Sequence, residues 1–186
     1  MASIPQLWLP ILLSAILVFV ASSLIHMVVK WHNPDYLRLA NEDEVRAAIR
    51  KGNPAPGQYV LPHFSDMSDL KKPEAQQKYA EGPVGFLVLK ANGPPTMGLA
   101  LSLWFLFSVV VSGFVAYLAS RTLPTGTPYL KVFRVAGAVS FLAYAAGAAP
   151  AAIWMGKPWR SATKDLADGL IYGLVTAGAF GWLWPR

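Results

Sequence analysis

The chain alternates long apolar runs with polar segments. Two uncharged runs cover residues 7–29 and 97–120, and two further apolar segments cover 132–155 and 165–184. A helix rises about 1.5 Å per residue, so roughly 20 apolar residues cross the ~30 Å hydrocarbon core of a bilayer. We therefore predict an all-α integral membrane protein, a bundle of four transmembrane helices with these bounds.

The fourth segment gives the weakest of these signals. Asp165 and Asp168 lie at its start, and its uncharged part, 169–184, is short for a span. Tilt or local thinning of the bilayer accommodates a short span, and a re-entrant or surface-lying helix is the alternative. We expect both acids in the first helical turn, where they complement the helix dipole and pair with Lys164 or Arg160.

The segment between the first two apolar runs, residues 30–96, is polar and contains most of the acidic residues. Asn41 precedes three acidic residues and Gly52 follows a basic pair, a pattern typical of the two ends of a helix. Short apolar runs at 58–61 and 84–89 favour strands. We predict a small mixed α/β extramembrane insert between the first and second transmembrane helices.

Lysine and arginine are unevenly divided between the two sides of the predicted membrane. More of them lie beside the insert and the 156–164 loop than beside the termini and the 121–131 loop. The positive-inside rule then predicts a cytoplasmic insert with both termini on the opposite side, and we expect a bacterial inner membrane. We assign the net charge of +6 to anionic lipid headgroups rather than nucleic acid, because the basic residues lie next to apolar runs.

A short turn before the fourth segment combines aromatic and basic side chains, namely Trp154, Lys157, Trp159 and Arg160. Indole rings favour the headgroup layer of a membrane, and lysine and arginine attract lipid phosphates. We predict that this turn contacts anionic lipid headgroups. Contact with a partner subunit is the alternative.

Small residues recur at every fourth position in the second and fourth predicted spans, and also at positions 143, 147 and 151 of the third. Positions four apart lie on one face of a helix, and small side chains allow the backbones of two helices to approach closely. We predict that these faces serve helix packing or a partner interface: Gly169, Gly173, Ala177 and Gly181 in the fourth segment, and Ser108, Ser112 and Ala116 in the second.

Candidate cofactor ligands are few. His26 is the one histidine inside a predicted span, so it could ligate a pigment or haem shared with a partner, but not a bis-histidine haem within this chain. His32 and His63, with Asp35 or Asp66, match no standard ligand spacing. Cysteine is absent, which excludes thiolate chemistry. We assign no metal site and no catalytic residue, and the sequence requires no cofactor.

These features favour a non-catalytic accessory or structural subunit of a larger membrane complex, for which a respiratory or photosynthetic assembly is a natural setting. Its expected partners are other integral membrane subunits and anionic lipids. A small transporter or channel is the first alternative, although no acid lies deep in a predicted span. A membrane-bound enzyme is the second, with its site on the insert, where His63, Asp66 and Asp69 lie close in sequence.

Overall fold

The computed structural model describes residues 2–186, most of which are helical. Seven α-helices and two strands occur in the described part of the chain. In order they are α1 (Trp8–Ser23), α2 (Glu42–Lys51), β1 (Gly57–Leu61), α3 (Pro73–Glu81), β2 (Gly85–Leu89), α4 (Met97–Thr122), α5 (Tyr129–Ala145), α6 (Ala148–Met155) and α7 (Trp159–Trp182). The predicted helical fold is thus confirmed.

The contacts divide these elements into two compact units. A helical unit contains the chain up to Tyr36 together with Thr96–Ala152 and Lys157–Arg186, and an insert unit contains Leu37–Pro95 and Ile153–Gly156. The predicted insert covered residues 30–96, so its first residues, 30–36, belong to the helical unit instead.

Three helical stretches are long and apolar enough to cross a membrane: Ile4–Val29, Met97–Thr122 and Tyr129–Met155. They match the first three segments that the hydropathy pattern singled out. Helix α7 has the length, but its first turns carry charged side chains and glycine dilutes its apolar character. Three candidate spans are therefore established, and a bundle of four is not.

Helix α7 lies against α5 through its small residues. A methyl group added at Gly169 would lie 2.7 Å from Cβ of Ala145, and one at Gly181 would lie 2.7 Å from the ring of Tyr129. At Gly173 an added Cβ would lie 3.2 Å from Phe141. Only glycine fits at Gly169 without a shift of the helices, because the obstacle includes the Ala145 backbone, whereas at Gly181 the Tyr129 ring would have to move.

The small residues of α4 also pack inside the helical unit. Ser108, Ser112 and Ala116 are buried, and the hydroxyls of Ser14 in α1 and Ser112 in α4 share a hydrogen bond of 2.9 Å. Ala116 belongs to a core cluster with Phe180 of α7. The predicted small-residue faces of both α4 and α7 are thus in contact with helices of the same chain.

The third candidate span is interrupted. Helix α5 ends at Ala145 and α6 begins at Ala148, shortly before Pro150. Proline has no amide hydrogen, and its ring clashes with the carbonyl four residues earlier, here that of Ala146. This local effect accounts for the break between α5 and α6.

The insert unit is built around a two-stranded antiparallel sheet, in which Gly57 pairs with Leu89 and Leu61 with Gly85. Helix α2 begins after Asn41 and ends before Gly52, as the capping residues predicted. The prediction of a small sheet in this segment is confirmed.

Candidate functional site

An irregular end of α1 positions two histidines in the helical unit. The helix continues as a π-helix over Leu24–Val29 and stops at Lys30, whose φ of 56° lies in the left-handed region. The chain then turns back, so the ring of His32 stacks on that of His26 with centroids 5.0 Å apart and planes 6° from parallel. π-helical turns and left-handed residues other than glycine are uncommon and concentrate at functional sites.

His32 lies between two carboxylates. Its Nδ1 is 2.9 Å from Oδ2 of Asp35, and its Nε2 is 2.9 Å from Oδ2 of Asp168 in α7. The side chains of His32 and Asp168 are only 13% and 8% exposed. Because a carboxylate only accepts hydrogen bonds, this geometry requires a proton or another cation on each side of the imidazole.

Lys164 holds the outer carboxylate in place. Its Nζ donates hydrogen bonds of 2.6 Å to Oδ1 of Asp35 and to the backbone carbonyl of Trp31. The Lys164 hydrogen bond lowers the pKa of the Asp35 carboxyl, and the hydrogen bond with His32 acts in the same direction, whereas burial opposes both. Asp35 is therefore fixed as an acceptor for Nδ1 of His32.

His26 completes the arrangement. Its Nδ1 lies 2.9 Å from the carbonyl oxygen of Ser22, which can only accept, so Nδ1 carries a hydrogen; in the neutral imidazole Nε2 then presents a lone pair. That Nε2 is 3.9 Å from Oδ2 of Asp168. We call His26, His32, Asp35 and Asp168 the histidine–carboxylate cluster.

Asp168 is the central residue of the cluster. Its Oδ2 faces both imidazoles, while its Oδ1 is buried and has no hydrogen-bond partner among residues 2–186. One ligand atom each from His26, His32 and Asp168 lies within 4.8 Å of the other two. Buried polar atoms are nearly always paired, so this oxygen is available to accept a hydrogen bond or to bind a cation.

A pocket of about 610 Å³ in the helical unit adjoins the cluster. Its volume is typical of small-molecule sites. Most of its wall is apolar, and the charged side chains lie at one end. The lining residues are Ser22, Ser23, His26, Met27, Met97, Leu101, Trp104, Tyr144, Asp165, Asp168 and Tyr172.

Three aromatic rings form one wall of this pocket. The ring centroids of Tyr144 and Tyr172 lie 5.5 Å apart, and that of Trp104 lies 5.9 Å from Tyr172. The Trp104 indole donates a hydrogen bond of 2.8 Å to the Ser22 hydroxyl. The Tyr144 hydroxyl is buried and unpaired within the described chain. The aromatic wall thus also contains a polar atom without a partner.

The predicted headgroup-binding residues are mostly exposed. Trp154 is 76% exposed and Trp159 is 58% exposed, and Arg160 is also exposed. Lys157 forms a salt bridge with Asp165. Contact of these side chains with lipid stays a prediction.

The residues proposed for an enzyme site on the insert have local roles. Asp66 accepts a hydrogen bond of 2.8 Å from the Ser68 amide, which also lowers the pKa of its carboxyl. Asp69 pairs with Lys72. Both carboxylates are therefore used in stabilising a short 3-10 turn.

The histidine–carboxylate cluster was not predicted from the sequence. The predicted position of Asp165 and Asp168 in the first turn of the fourth segment was wrong, because α7 begins at Trp159 directly after Pro158. Apolarity locates the start of a hydrophobic stretch, whereas the helix itself extends into the preceding polar residues. Two histidines six positions apart at the end of an apolar run were the available signal.

No family model, curated protein or solved structure matches this chain. Functional inference therefore rests on the residues and geometry of the chain itself.

Proposed function

We propose that the chain is an integral membrane protein in which four helices, α1, α4, α5–α6 and α7, cross the bilayer, and that the helical unit carries a binding pocket for an amphiphilic small molecule. The apolar part of the ligand lies against Leu101 and the aromatic wall. Its headgroup lies at the end that carries His26 and Asp168. The single observation that carries this proposal is the pocket's combination of a largely apolar wall with one charged end.

The contacts of α7 support its place as a fourth span. Near its start, Lys164 reaches the Trp31 carbonyl beyond the end of α1. At its far end, the Trp184 indole donates to the Pro124 carbonyl, and the Gly126 amide donates to the Pro185 carbonyl. Helix α7 therefore runs from the end of α1 to the loop between α4 and α5, the full length of its neighbours.

The charges of α7 are consistent with this position. A charged side chain in a membrane is costly unless it is paired or faces a cavity. Lys164 pairs with Asp35, Asp165 with Lys157, and Asp168 with His32. We place these pairs at the membrane surface on the side of the insert, which the positive-inside rule assigns to the cytoplasm of a bacterial cell.

The chemistry of the charged end restricts the ligand. Asp168 provides an acceptor, and aromatic rings lie beside it, a combination that favours amines and hydroxyl groups. We therefore propose a ligand whose headgroup donates hydrogen bonds and whose tail is apolar.

Extraction of the bound amphiphile tests this function. The protein is solubilised gently, and co-purifying small molecules are identified by mass spectrometry. Leu101→Trp fills the pocket, and Leu103→Trp is the matched control, because Leu103 is exposed on the same helix and does not line the pocket. We expect at least about tenfold less ligand, equivalent to about 1.4 kcal/mol, with Leu101→Trp alone. Identical extracts from all three proteins would contradict the proposal.

A non-catalytic accessory subunit of a larger membrane complex stays a second proposal. It needs a docking surface other than the small-residue faces of α4 and α7, because those faces contact helices of this chain. Exposed rings such as Trp154 and Trp182 are candidates for that surface. Stoichiometric co-purifying proteins would support this role, and isolation as a lone chain that retains the amphiphile would count against it.

A further inference from the structure

We propose that the histidine–carboxylate cluster binds one divalent transition-metal ion. The ligands are Nε2 of His26, Nε2 of His32 and the carboxylate of Asp168. This site goes beyond the proposed binding of an amphiphile. It shares His26 and Asp168 with the charged end of the pocket, and metal binding can be measured whether or not an amphiphile is bound.

The donor set suits such an ion. Two imidazole nitrogens and one carboxylate are typical ligands of zinc and of non-haem iron. The three candidate atoms lie within 4.8 Å of one another. Tetrahedral bonds of about 2.0–2.2 Å to a zinc ion hold the ligand atoms roughly 3.4 Å from one another. The carboxylate oxygen lies 2.9 Å from His32 and 3.9 Å from His26, so on metal binding the first distance lengthens slightly and the second shortens.

The outer contacts of both histidines match those of metal ligands. A histidine that binds a metal through one nitrogen usually donates its other N–H to a carboxylate or a backbone carbonyl. Here Nδ1 of His32 faces Asp35 and Nδ1 of His26 faces the carbonyl of Ser22. Both rings therefore direct Nε2 toward the Asp168 carboxylate, although Asp168 lies far along the chain from both histidines.

Electrostatics also favours a cation at this position. When both imidazoles are neutral, two nitrogen lone pairs face the Asp168 carboxylate, and these groups repel unless a cation lies between them. The ion pairs at the cluster contain three carboxylates, those of Asp35, Asp165 and Asp168, but two lysines. In the described part of the chain, Asp168 is the carboxylate that has a histidine and no lysine as its partner. The buried Oδ1 of Asp168, which has no hydrogen-bond partner among residues 2–186, is a second observation that favours a bound ligand.

Metal binding requires one ring to turn. The lone pairs of two nearly parallel imidazoles do not converge on one point, and the planes of His26 and His32 differ by 6°. The His26 side chain is 52% exposed, so its ring has room to rotate. Three protein ligands then leave a coordination position open, as in metal sites that bind an exogenous ligand.

Cobalt titration tests the site. The protein, purified with an affinity tag that lacks histidine, is treated with a chelator and titrated with Co²⁺, whose visible d–d absorption reports coordination. Metal content is measured by mass spectrometry of the same samples. The variants are His26→Gln and Asp168→Asn. His63→Gln is the control, because His63 belongs to the insert unit and not to the candidate ligand group.

We expect one Co²⁺ per chain in the wild type and in His63→Gln. Removal of a ligand should weaken binding by more than the roughly 10–100-fold that loss of an outer-shell contact causes. Absence of saturable binding to the wild type would overturn the proposal and leave a hydrogen-bonded histidine–carboxylate pair. Equal binding by His26→Gln would overturn it too, and this variant remains informative if Asp168→Asn fails to fold, since His26 is half-exposed.

The metal site and the amphiphile pocket are separable. Leu101→Trp should lose the amphiphile and keep the Co²⁺ spectrum, because Leu101 lies outside the cluster. His26→Gln should lose the metal. Loss of Co²⁺ binding in the folded Leu101→Trp protein would contradict the assignment of the ion to this cluster.

Discussion

Nε2 of His32 and Oδ2 of Asp168 lie 2.9 Å apart although 136 positions separate the two residues in the chain. This contact joins the turn after α1 to the third turn of α7. Together with the contacts of Asp35 to His32 and to Lys164, it forms a hydrogen-bonded chain from Asp168 to Lys164. A change at any residue of this chain is therefore expected to alter the orientation of the others.

Replacement of Asp35 by asparagine tests this hydrogen-bonded chain. The amide oxygen can still accept from Nδ1 of His32, but the charge that orients the imidazole and pairs with Lys164 is lost. We expect about 10–100-fold weaker Co²⁺ binding, the usual effect of an outer-shell change. Asp43→Asn is the control, because Asp43 is fully exposed in the insert unit. The Co²⁺ affinities of the two variants are measured by parallel titrations. Equal affinities would show that Asp35 does not orient His32 for metal binding.

Helix α7 should tolerate a methyl group at one glycine and not at another. A Cβ at Gly169 would lie 2.7 Å from Cβ of Ala145 and 3.1 Å from its backbone, whereas a Cβ at Gly178 meets nothing closer than 4.0 Å. We expect Gly169→Ala to destabilise the protein by about 1–3 kcal/mol through overpacking. Gly178→Ala should be neutral or stabilising by up to about 1 kcal/mol, the helix-propensity gain.

Unfolding of both glycine variants in detergent micelles measures the difference. The same loss of stability in the two variants would show that close packing of α7 on Ala145 is not the cause.

The bond between Ser14 and Ser112 should contribute modestly to the packing of α1 on α4. It is buried, with an oxygen–oxygen distance of 2.9 Å. Measured hydrogen bonds between membrane helices average about 0.6 kcal/mol. A double-mutant cycle with both serines changed to alanine should give a coupling energy near that value. Purely additive effects would indicate that each serine bonds only within its own helix, as the Ser14 hydroxyl also does with the Ile11 carbonyl.

The number of membrane crossings can be measured by labelling, because the sequence has no cysteine. We propose single substitutions Ser65→Cys in the insert, Thr125→Cys in the α4–α5 loop and Arg186→Cys at the C-terminus. A membrane-impermeant maleimide should label the last two from the same side and the first from the opposite side. If Arg186→Cys is labelled from the side of the insert, α7 does not cross the membrane.

The insert and the approximate extents of the apolar helices could be predicted from the sequence. A helix between Asn41 and Gly52, two short strands and three long apolar helices follow from capping residues, apolar runs and length. These features depend on neighbours a few positions away, so local composition and periodicity are enough to indicate them. The break before Pro150 is likewise a local effect of proline on the preceding turn.

Only the tertiary structure decided which faces meet and which side chains converge. Spacing alone left the small-residue faces of α4 and α7 open to a partner, and the structure pairs Gly169 with Ala145 and Ser112 with Ser14. His26 and His32 meet Asp168 because a π-helical turn, a left-handed Lys30 and the packing of α7 act together. The relative rotation and axial offset of packed helices depend on contacts along their whole length. No local pattern in the sequence specifies them, which is why the candidate site emerged from the fold.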